Sequence, residues 1–486
     1  MHLTPLEIYV NVTAEIEYLQ SIGLDAGDFY VALDLRPSSP RICQDVVRAV
    51  CDAGMRPVNL GRIPTPALAN YAWARHRPSI MVTGSHIPFD RNGYKLNTPS
   101  GELLKSHEAP IGEFVARTRA RLYEQPFAES RFNELGDFKN PPGDLPAEDG
   151  AARTVYLRRY RDFFGERSLG GSRILLYEHS AVGRDMLAEL LTSLGAEVVR
   201  RGRSDEFVPI DTENIDAAQL AVIQHLANGA GPIDAVVSTD GDSDRPLVLG
   251  IDRASNKVRF FGGDLVGMVV AEFLGADSVV VPISCNDAID RGPLAGVVEP
   301  KTRIGSPYVI AGMEAARAKG RRAVCGWEAN GGFLTGSDIV RNGRMLTALP
   351  TRDAFLPILC VLVAAREKGV AMTEIFERLP RRFSRAALLK RFPREVSLRI
   401  VRELSAAERL QEFFPGFGTI AGIDHTDGVR ITFSNGEIAH VRPSGNADEL
   451  RIYAVADTQE RADEIAAAGV AEPDGILRRM ERAVSG

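Results

Sequence analysis

The sequence predicts an α/β protein in which three βαβ-type units with mixed sheets are followed by a smaller domain of sheet and helix. Three observations carry this. Short apolar runs alternate with stretches of helical spacing over the first 370 residues or so, the pattern of a mostly parallel sheet with helices on both faces. The 486 residues exceed what one core serves at about 150 residues per domain, so three or four domains are expected. From about 371 the character changes, with strand-like pieces at 386–391, 428–433 and 450–453 followed by a helical stretch over 458–469.

Taken in order, residues 5–22 place Ile8, Val12, Ile16 and Leu19 at helical spacing. Phe29 to Leu33 reads as a strand, Asp34 to Pro40 as a loop, 41–53 as a helix and Pro57 to Leu60 as a strand. A helix after Pro64 leads to the apolar run Ile80-Met81-Val82, which ends at Ser85. Ligands in such sheets sit at the carboxyl ends of the strands, where Ser85 is expected. The segment 125–150 reads as a linker. A helix with Tyr156, Tyr160 and Phe163 opens the second unit, with strands at 173–177, 196–200 and 233–237 and a helix at 185–194. Phe260 to Asp264 is taken to open the third, with strands near 278–282, 296–299 and 322–325 and a helix over 353–367. The expected domains are 1–145, 150–255, 256–370 and 371–486. The three units are of comparable length, without a clean sequence repeat.

The balance of 58 basic and 64 acidic side chains, with no basic block, excludes a nucleic-acid partner. Five widely spaced cysteines without a C-x-x-C pair speak for reduced thiols rather than a disulfide framework or zinc site. No signal peptide and no apolar stretch of membrane-spanning length are visible, so a soluble, cytoplasmic protein is expected. Monomer or dimer stays open.

Four loops hold the chemistry. Thr83-Gly84-Ser85-His86-Ile87-Pro88, running on to Asn92-Gly93-Tyr94-Lys95, gathers a hydroxyl, an imidazole and an ammonium in what reads as one loop. It is equally what turn chemistry produces. Asp240-Gly241-Asp242-Ser243-Asp244-Arg245 follows an apolar strand, and alternating carboxylates there can converge on one hard cation such as Mg²⁺. Arg245 and Ile251 stand where a calcium EF-hand needs Gly and Glu, which excludes that loop. A solvated acidic turn and an aspartate-nucleophile phosphatase both remain open. Arg245 tilts the reading toward phosphate. In Glu328-Ala329-Asn330-Gly331-Gly332, a carboxylate and an amide framed by glycines suit sugar hydroxyls, although a glycine-rich surface turn would look the same. Arg442-Pro443-Ser444-Gly445-Asn446, with Arg451 beyond it, offers phosphate donors, or a simple turn.

In this order and spacing the four loops resemble those of the α-D-phosphohexomutase family of phosphoglucomutases and phosphomannomutases, over nearly the whole chain. The loop around Ser85 is similar to the family's T-A-S-H-N-P phosphoserine loop, and Asp240 to Arg245 to its D-G-D-x-D-R metal loop. The Glu328 and Arg442 loops look like its sugar-binding and phosphate-binding loops. The resemblance implies four domains around a central cleft. It implies a phosphoryl group on Ser85, with Mg²⁺ held by Ser85, Asp240, Asp242 and Asp244. It implies transfer between C1 and C6 of a hexose phosphate through a bisphosphate, with hexose 1,6-bisphosphate as activator. Lys95 is then favoured for proton exchange, with His86 as a second candidate or an orienting group, and Arg245 adds positive charge. Glu328 and Asn330 would meet the sugar, and Arg303, Arg442, Ser444, Gly445, Asn446 and Arg451 would surround the substrate. The Glu-Ala-Asn loop looks closest to the mannose and dual-specificity members.

The departures are specific. Ile87 stands in place of an Asn, Asn446-Ala447-Asp448 in place of T-E-P, and Ser306 where some phosphomannomutases have a histidine. The family's F-G-T-x-G-x-R-G front loop has no counterpart before Leu3. Either the start codon is placed too late, or an active-site arginine and a sheet edge are missing, which leaves a non-catalytic sugar-phosphate binder as a further reading.

Overall fold

The chain's apolar runs become strands at the centres of four sheets, and its turn clusters become the loops at their ends. The computed structural model describes residues 3–213, 215–404, 406–445 and 448–485. Thr4 starts the first helix by accepting from the Glu7 amide, with Pro5 in the first turn where no amide donor is needed. The first unit contains α1 (Pro5–Ser21), β1 (Asp28–Leu33), α2 (Ser39–Asp52), β2 (Arg56–Asn59), α3 (Thr65–Trp73), β3 (Ser79–Val82), β4 (Tyr94–Thr98), β5 (Gly101–Glu102) and α4 (Lys105–Tyr123). The second contains α5 (Ala151–Phe164), β6 (Arg173–His179), α6 (Arg184–Ser193), β7 (Glu197–Arg203), α7 (Ala217–Asn228), β8 (Ala235–Thr239), β9 (Pro246–Ile251) and β10 (Val258–Phe261).

The third contains α8 (Gly263–Leu274), β11 (Ser278–Val280), α9 (Ser306–Ala318), β12 (Val324–Trp327), β13 (Phe333–Thr335), the hairpin β14 (Ile339–Arg341) and β15 (Arg344–Leu346), β16 (Leu349–Asp353), α10 (Phe355–Lys368) and α11 (Met372–Glu377). The fourth contains β17 (Phe383–Lys390), α12 (Arg394–Glu403), α13 (Ala407–Phe413), β18 (Ile420–Asp424), β19 (Val429–Phe433), β20 (Ile438–Pro443), β21 (Glu449–Ala456), α14 (Gln459–Val470) and α15 (Ile476–Ser485).

The first two sheets share one topology. Their orders, β2-β1-β3-β4-β5 and β7-β6-β8-β9-β10, are the same when read from the edge, with three parallel strands and then two antiparallel ones. The third sheet, β11-β12-β13-β16, repeats it with its edge strand reduced. The strand expected near 296–299 is a 3₁₀ turn over Ala295–Val297, followed by isolated bridges of Val298 to Val279 and Thr302 to Pro282. Phe260 and Phe261, expected to open the third unit, instead form β10 of the second sheet. The fourth sheet, β17-β21-β20-β19-β18, is antiparallel throughout.

Burial separates the units unequally. Tyr30, Met81, Tyr156, Val237, Trp327 and Phe355 belong to one apolar core that runs through the first three units. Phe392, Phe414, Ile431, Ile452 and Leu477 belong to a separate core under the fourth sheet. The segment 125–150 is irregular, as a linker should be, yet it is pinned down. Phe132 and Phe138 pack edge-on against Tyr9, and the Asn59 amide donates to the Pro146 carbonyl at 2.8 Å. Among the described residues no helix is long and apolar enough to cross a membrane.

Candidate active site

Three of the four loops occupy the same place in the repeated topology. Each follows the last parallel strand of its sheet (β3, β8 or β12) and leads into the antiparallel strand beside it (β4, β9 or β13). Ser85 is buried at the first of these turns with φ 53°, a left-handed conformation that a serine adopts only when its surroundings enforce it. The enforcing groups surround it. Its amide donates to Thr83 Oγ1 at 2.8 Å, and Thr83 Oγ1 in turn donates to Asp34 Oδ2 at 2.8 Å. Arg36, also fully buried, donates to the carbonyls of Ser85 (2.8 Å), Ile87 (2.7 Å), Pro88 (2.9 Å) and Arg91 (3.0 Å), while its Nε meets Asp34 Oδ2 at 3.2 Å. The Phe207 ring of the second unit covers that guanidinium, 3.9 Å from ring centroid to Cζ. Ile87, where the resemblance expects an Asn, thus contributes its backbone carbonyl.

The metal-loop aspartates lie directly beside this turn. Ser85 Oγ donates to Asp240 Oδ2 at 2.8 Å. Gly241 permits the approach, because a Cβ there would stand 2.7 Å from the Ser85 carbonyl oxygen. Asp240, Asp242 and Asp244 are buried, and each offers a carboxylate oxygen within 4.8 Å of the others. Burial, and then the neighbouring Asp242 and Asp244, push the Asp240 carboxyl well above its usual range. Burial also works against ionised Asp242 and Asp244, yet nearby cations leave both below theirs: Lys95 for Asp242, and Arg352, Lys95 and Arg245 for Asp244. Asp242 Oδ1 and Asp244 Oδ1 are buried without a hydrogen-bond partner. Among the described residues Asp244 Oδ1 has only Arg245 Nε at 3.5 Å and Asp242 Oδ1 has no hydrogen bond, and such free lone pairs in a cluster of hard donors fit a hard divalent cation such as Mg²⁺. Behind the cluster, Thr65 Oγ1 donates to Asp242 Oδ2 at 2.6 Å.

Lys95 belongs to β4 rather than to the loop the sequence suggested. Its Nζ lies 2.7 Å from Asp242 Oδ2 and 3.0 Å from Asp244 Oδ2. Arg245 Nη1 donates to His86 Nδ1 at 2.6 Å. Burial and then that guanidinium push His86 down to about 4, so its ring is neutral and its Nδ1 is the acceptor. His86 is thereby held as a partner of Arg245.

The remaining residues line a cleft of ≈ 2140 Å³ that also reaches His86 and Arg245. Glu328 and Asn330 are buried in its wall; Asn330 Oδ1 closes the glycine turn by accepting from the Gly332 amide at 2.9 Å. Arg442 and Arg451 sit directly opposite each other on β20 and β21. Like charges there repel, and each is offset by one carboxylate: Asp427 at 3.0 Å from Arg442, Glu449 at 2.9 Å from Arg451. Ser444 and Gly445 line the same wall, whereas Asn446 lies outside the described residues. Arg303 reaches across from the third unit to donate to the Thr426 carbonyl at 3.2 Å, beside Asp427. Ser306 donates to Glu102 Oε2 at 2.7 Å.

Four contributors had no motif to announce them: Arg36, Thr65, Glu102 and Arg352. Asp34-Leu35-Arg36 at a strand end was a usable signal, since a charged pair there is costly unless something takes its donors.

Comparison with known proteins agrees with the geometry. Residues 2–121 match the family description "Phosphoglucomutase/phosphomannomutase, alpha/beta/alpha domain I", 262–383 its domain III and 395–471 its C-terminal domain. The chain is 40% identical over 444 residues to a phosphomannomutase of Sinorhizobium fredii, covering 91% of this chain and 89% of that one. It is 42% identical over 435 residues to a phosphomannomutase of Salmonella muenchen, covering 89% and 84%. In fold it is similar to a phosphoglucomutase/phosphomannomutase family protein of Burkholderia thailandensis, with TM-score 0.69 and 17% identity over 98% of this chain and 93% of that one.

Proposed function

This chain belongs to the phosphoglucomutase/phosphomannomutase family and is a phosphohexose mutase, and we propose that it exchanges phosphate between C1 and C6 of mannose phosphate, with the glucose pair as a second substrate. The observation that carries the mechanism is the Ser85 hydroxyl, 2.8 Å from Asp240 in a buried carboxylate cluster whose Asp242 also holds Lys95 Nζ at 2.7 Å. In this reading Ser85 begins as a phosphoserine. A sugar hydroxyl attacks its phosphorus, the bond from phosphorus to Ser85 Oγ breaks, and the hydroxyl proton passes by way of Lys95 Nζ to the departing oxygen. The bisphosphate formed turns over in the cleft, and its other phosphate returns to Ser85 by the same step. Hexose 1,6-bisphosphate charges a dephosphorylated Ser85.

Asp240, Asp242, Asp244 and the phosphoserine would hold Mg²⁺, which would supply Lewis acidity at the transferring group. Arg245 adds positive charge there. Glu328 and Asn330 receive the sugar hydroxyls. Arg442, Ser444, Gly445, Asn446 and Arg451, with Arg303, hold the phosphate that is not being transferred.

An aspartate nucleophile fits less well. Asp240 Oδ1 accepts the amides of Asp244 and Arg245, each at 3.1 Å, and Oδ2 accepts Ser85, so both oxygens are engaged and buried. The test is to charge the protein with radiolabelled hexose 1,6-bisphosphate. A label that survives hydroxylamine and disappears in Ser85→Ala is a serine ester. A hydroxylamine-labile label that persists in Ser85→Ala would make Asp240 the nucleophile and overturn this reading.

A further inference from the structure

Arg352, on β16, joins the two loops that bring the carboxylates. Its Nε donates to Asp244 Oδ2 at 3.1 Å and its Nη1 to Glu328 Oε2 at 3.0 Å, so one rigid fork spans the metal loop and the sugar loop. The residues on either side of it are fixed by other units. Thr351 Oγ1 donates to Glu102 Oε1 at 2.6 Å, from β5 of the first sheet. Asp353 accepts the Tyr156 hydroxyl at 2.7 Å and the Tyr160 hydroxyl, both on α5 of the second unit. Its Oδ1 also accepts the Phe355 amide, the first of α10, at 2.9 Å. The sugar loop is shaped around the arginine stem: a Cβ on Gly332 would stand 2.5 Å from Arg352 Cδ and 2.6 Å from its Cγ. Glycine at 332 therefore makes room for this side chain.

We propose that Arg352 is a positioning residue for sugar recognition, holding the Glu328 carboxylate toward the sugar hydroxyls and tying its place to that of Asp244. The inference rests on the reading of the Glu328 loop as the sugar site. A buried carboxylate that swings freely loses orientation and hydrogen bonds together, whereas one gripped by an immobile guanidinium meets the sugar already oriented. Lysine at 352 keeps the positive charge beside Asp244, but its single nitrogen cannot reproduce the planar fork in which Nε meets Asp244 while Nη1 meets Glu328.

The test compares binding of mannose 6-phosphate and of inorganic phosphate to the wild type, Arg352→Lys, Glu328→Gln and the double variant, by calorimetry. With the grip lost, mannose 6-phosphate should bind about tenfold more weakly in each single variant, the worth of one charge-assisted hydrogen bond. The double variant should be no worse than either single one, and inorganic phosphate, which meets Arg442 and Arg451, should bind all four proteins alike. Equal weakening of both ligands in Arg352→Lys would mean general damage to the cleft and would overturn the proposal. So would losses that multiply in the double variant, or a wild-type affinity in Arg352→Lys. A wild type that binds inorganic phosphate but no hexose phosphate would instead sink the sugar-site reading on which the proposal stands.

Discussion

Replacing Arg36 with lysine should loosen the Ser85 loop without unfolding the rest of the protein. Arg36 makes five side-chain hydrogen bonds, four to carbonyls of residues 85–91 and one to Asp34. A lysine ammonium has three donors, so at least two of the five acceptors lose their partner inside a buried site. At roughly 1.5–3 kcal/mol for each hydrogen bond to a charged group, the loop loses about 3–6 kcal/mol of local stability. Opening of the loop then becomes at least about a hundredfold more frequent, at tenfold for every 1.4 kcal/mol. Hydrogen exchange reads this directly. The amides of Thr83, Ser85, Ile87 and Arg91 are bonded within the loop or to the Gly93 carbonyl, and their protection should fall by that factor. Peptides from the fourth sheet, which has a core of its own, should exchange as before. Turnover should drop with the loop, since a misplacement of about 1 Å can cost a hundredfold in rate. Unchanged protection together with unchanged turnover would refute the clamp.

Two further outcomes follow from the same geometry. Thr65→Val removes the hydroxyl that donates to Asp242 Oδ2 at 2.6 Å, and the half-saturating Mg²⁺ concentration for turnover and for thermal stabilisation should rise by about 10–100-fold, the usual cost of losing a group that orients a metal ligand; an unchanged Mg²⁺ titration would remove Asp242 from the metal site. The cleft, ≈ 2140 Å³, far exceeds a hexose phosphate, and the fourth unit has a separate core, so saturating hexose bisphosphate should contract the X-ray scattering profile as that unit closes; superimposable profiles would mean a rigid cleft.

What the sequence made legible followed from local chemistry. The apolar runs before Ser85, Asp240 and Glu328 mark strands buried on both faces, and glycine and aspartate mark the turns after them, so three site loops could be placed at strand ends. Short antiparallel strands were harder. β13 and β16 have three and five residues, too few to establish a period, and Arg352 on β16 went unnoticed with them. Asn92-Gly93 reads as part of a loop that extends to Lys95, while the strand that carries Lys95 is set by pairing with β3. Arg36 carried a local signal but not its meaning, which depends on carbonyls some fifty residues away in the chain.

The repeated topology explains why one cleft can collect such different chemistry. In each of the first three sheets, the last parallel strand turns into an antiparallel neighbour, and residues of all three turns line the one cleft. In chain order these turns carry the Ser85 hydroxyl, the carboxylates of Asp240, Asp242 and Asp244, and the polar Glu328 loop. Because those units share one apolar core, Ser85, Asp240 and Glu328 stay fixed relative to one another, and Arg36, Thr65 and Arg352 each reach across to hold a neighbouring loop in place. A phosphoryl transfer that depends on positioning needs that rigidity. Arg442 and Arg451 are placed differently: among the described residues, their sheet contributes nothing to that shared core and packs on a separate one. The proposed cycle, in which one phosphate is held while the sugar turns, would need its reacting groups immobile and its holding groups movable. The division between the shared core and the separate one supplies that difference.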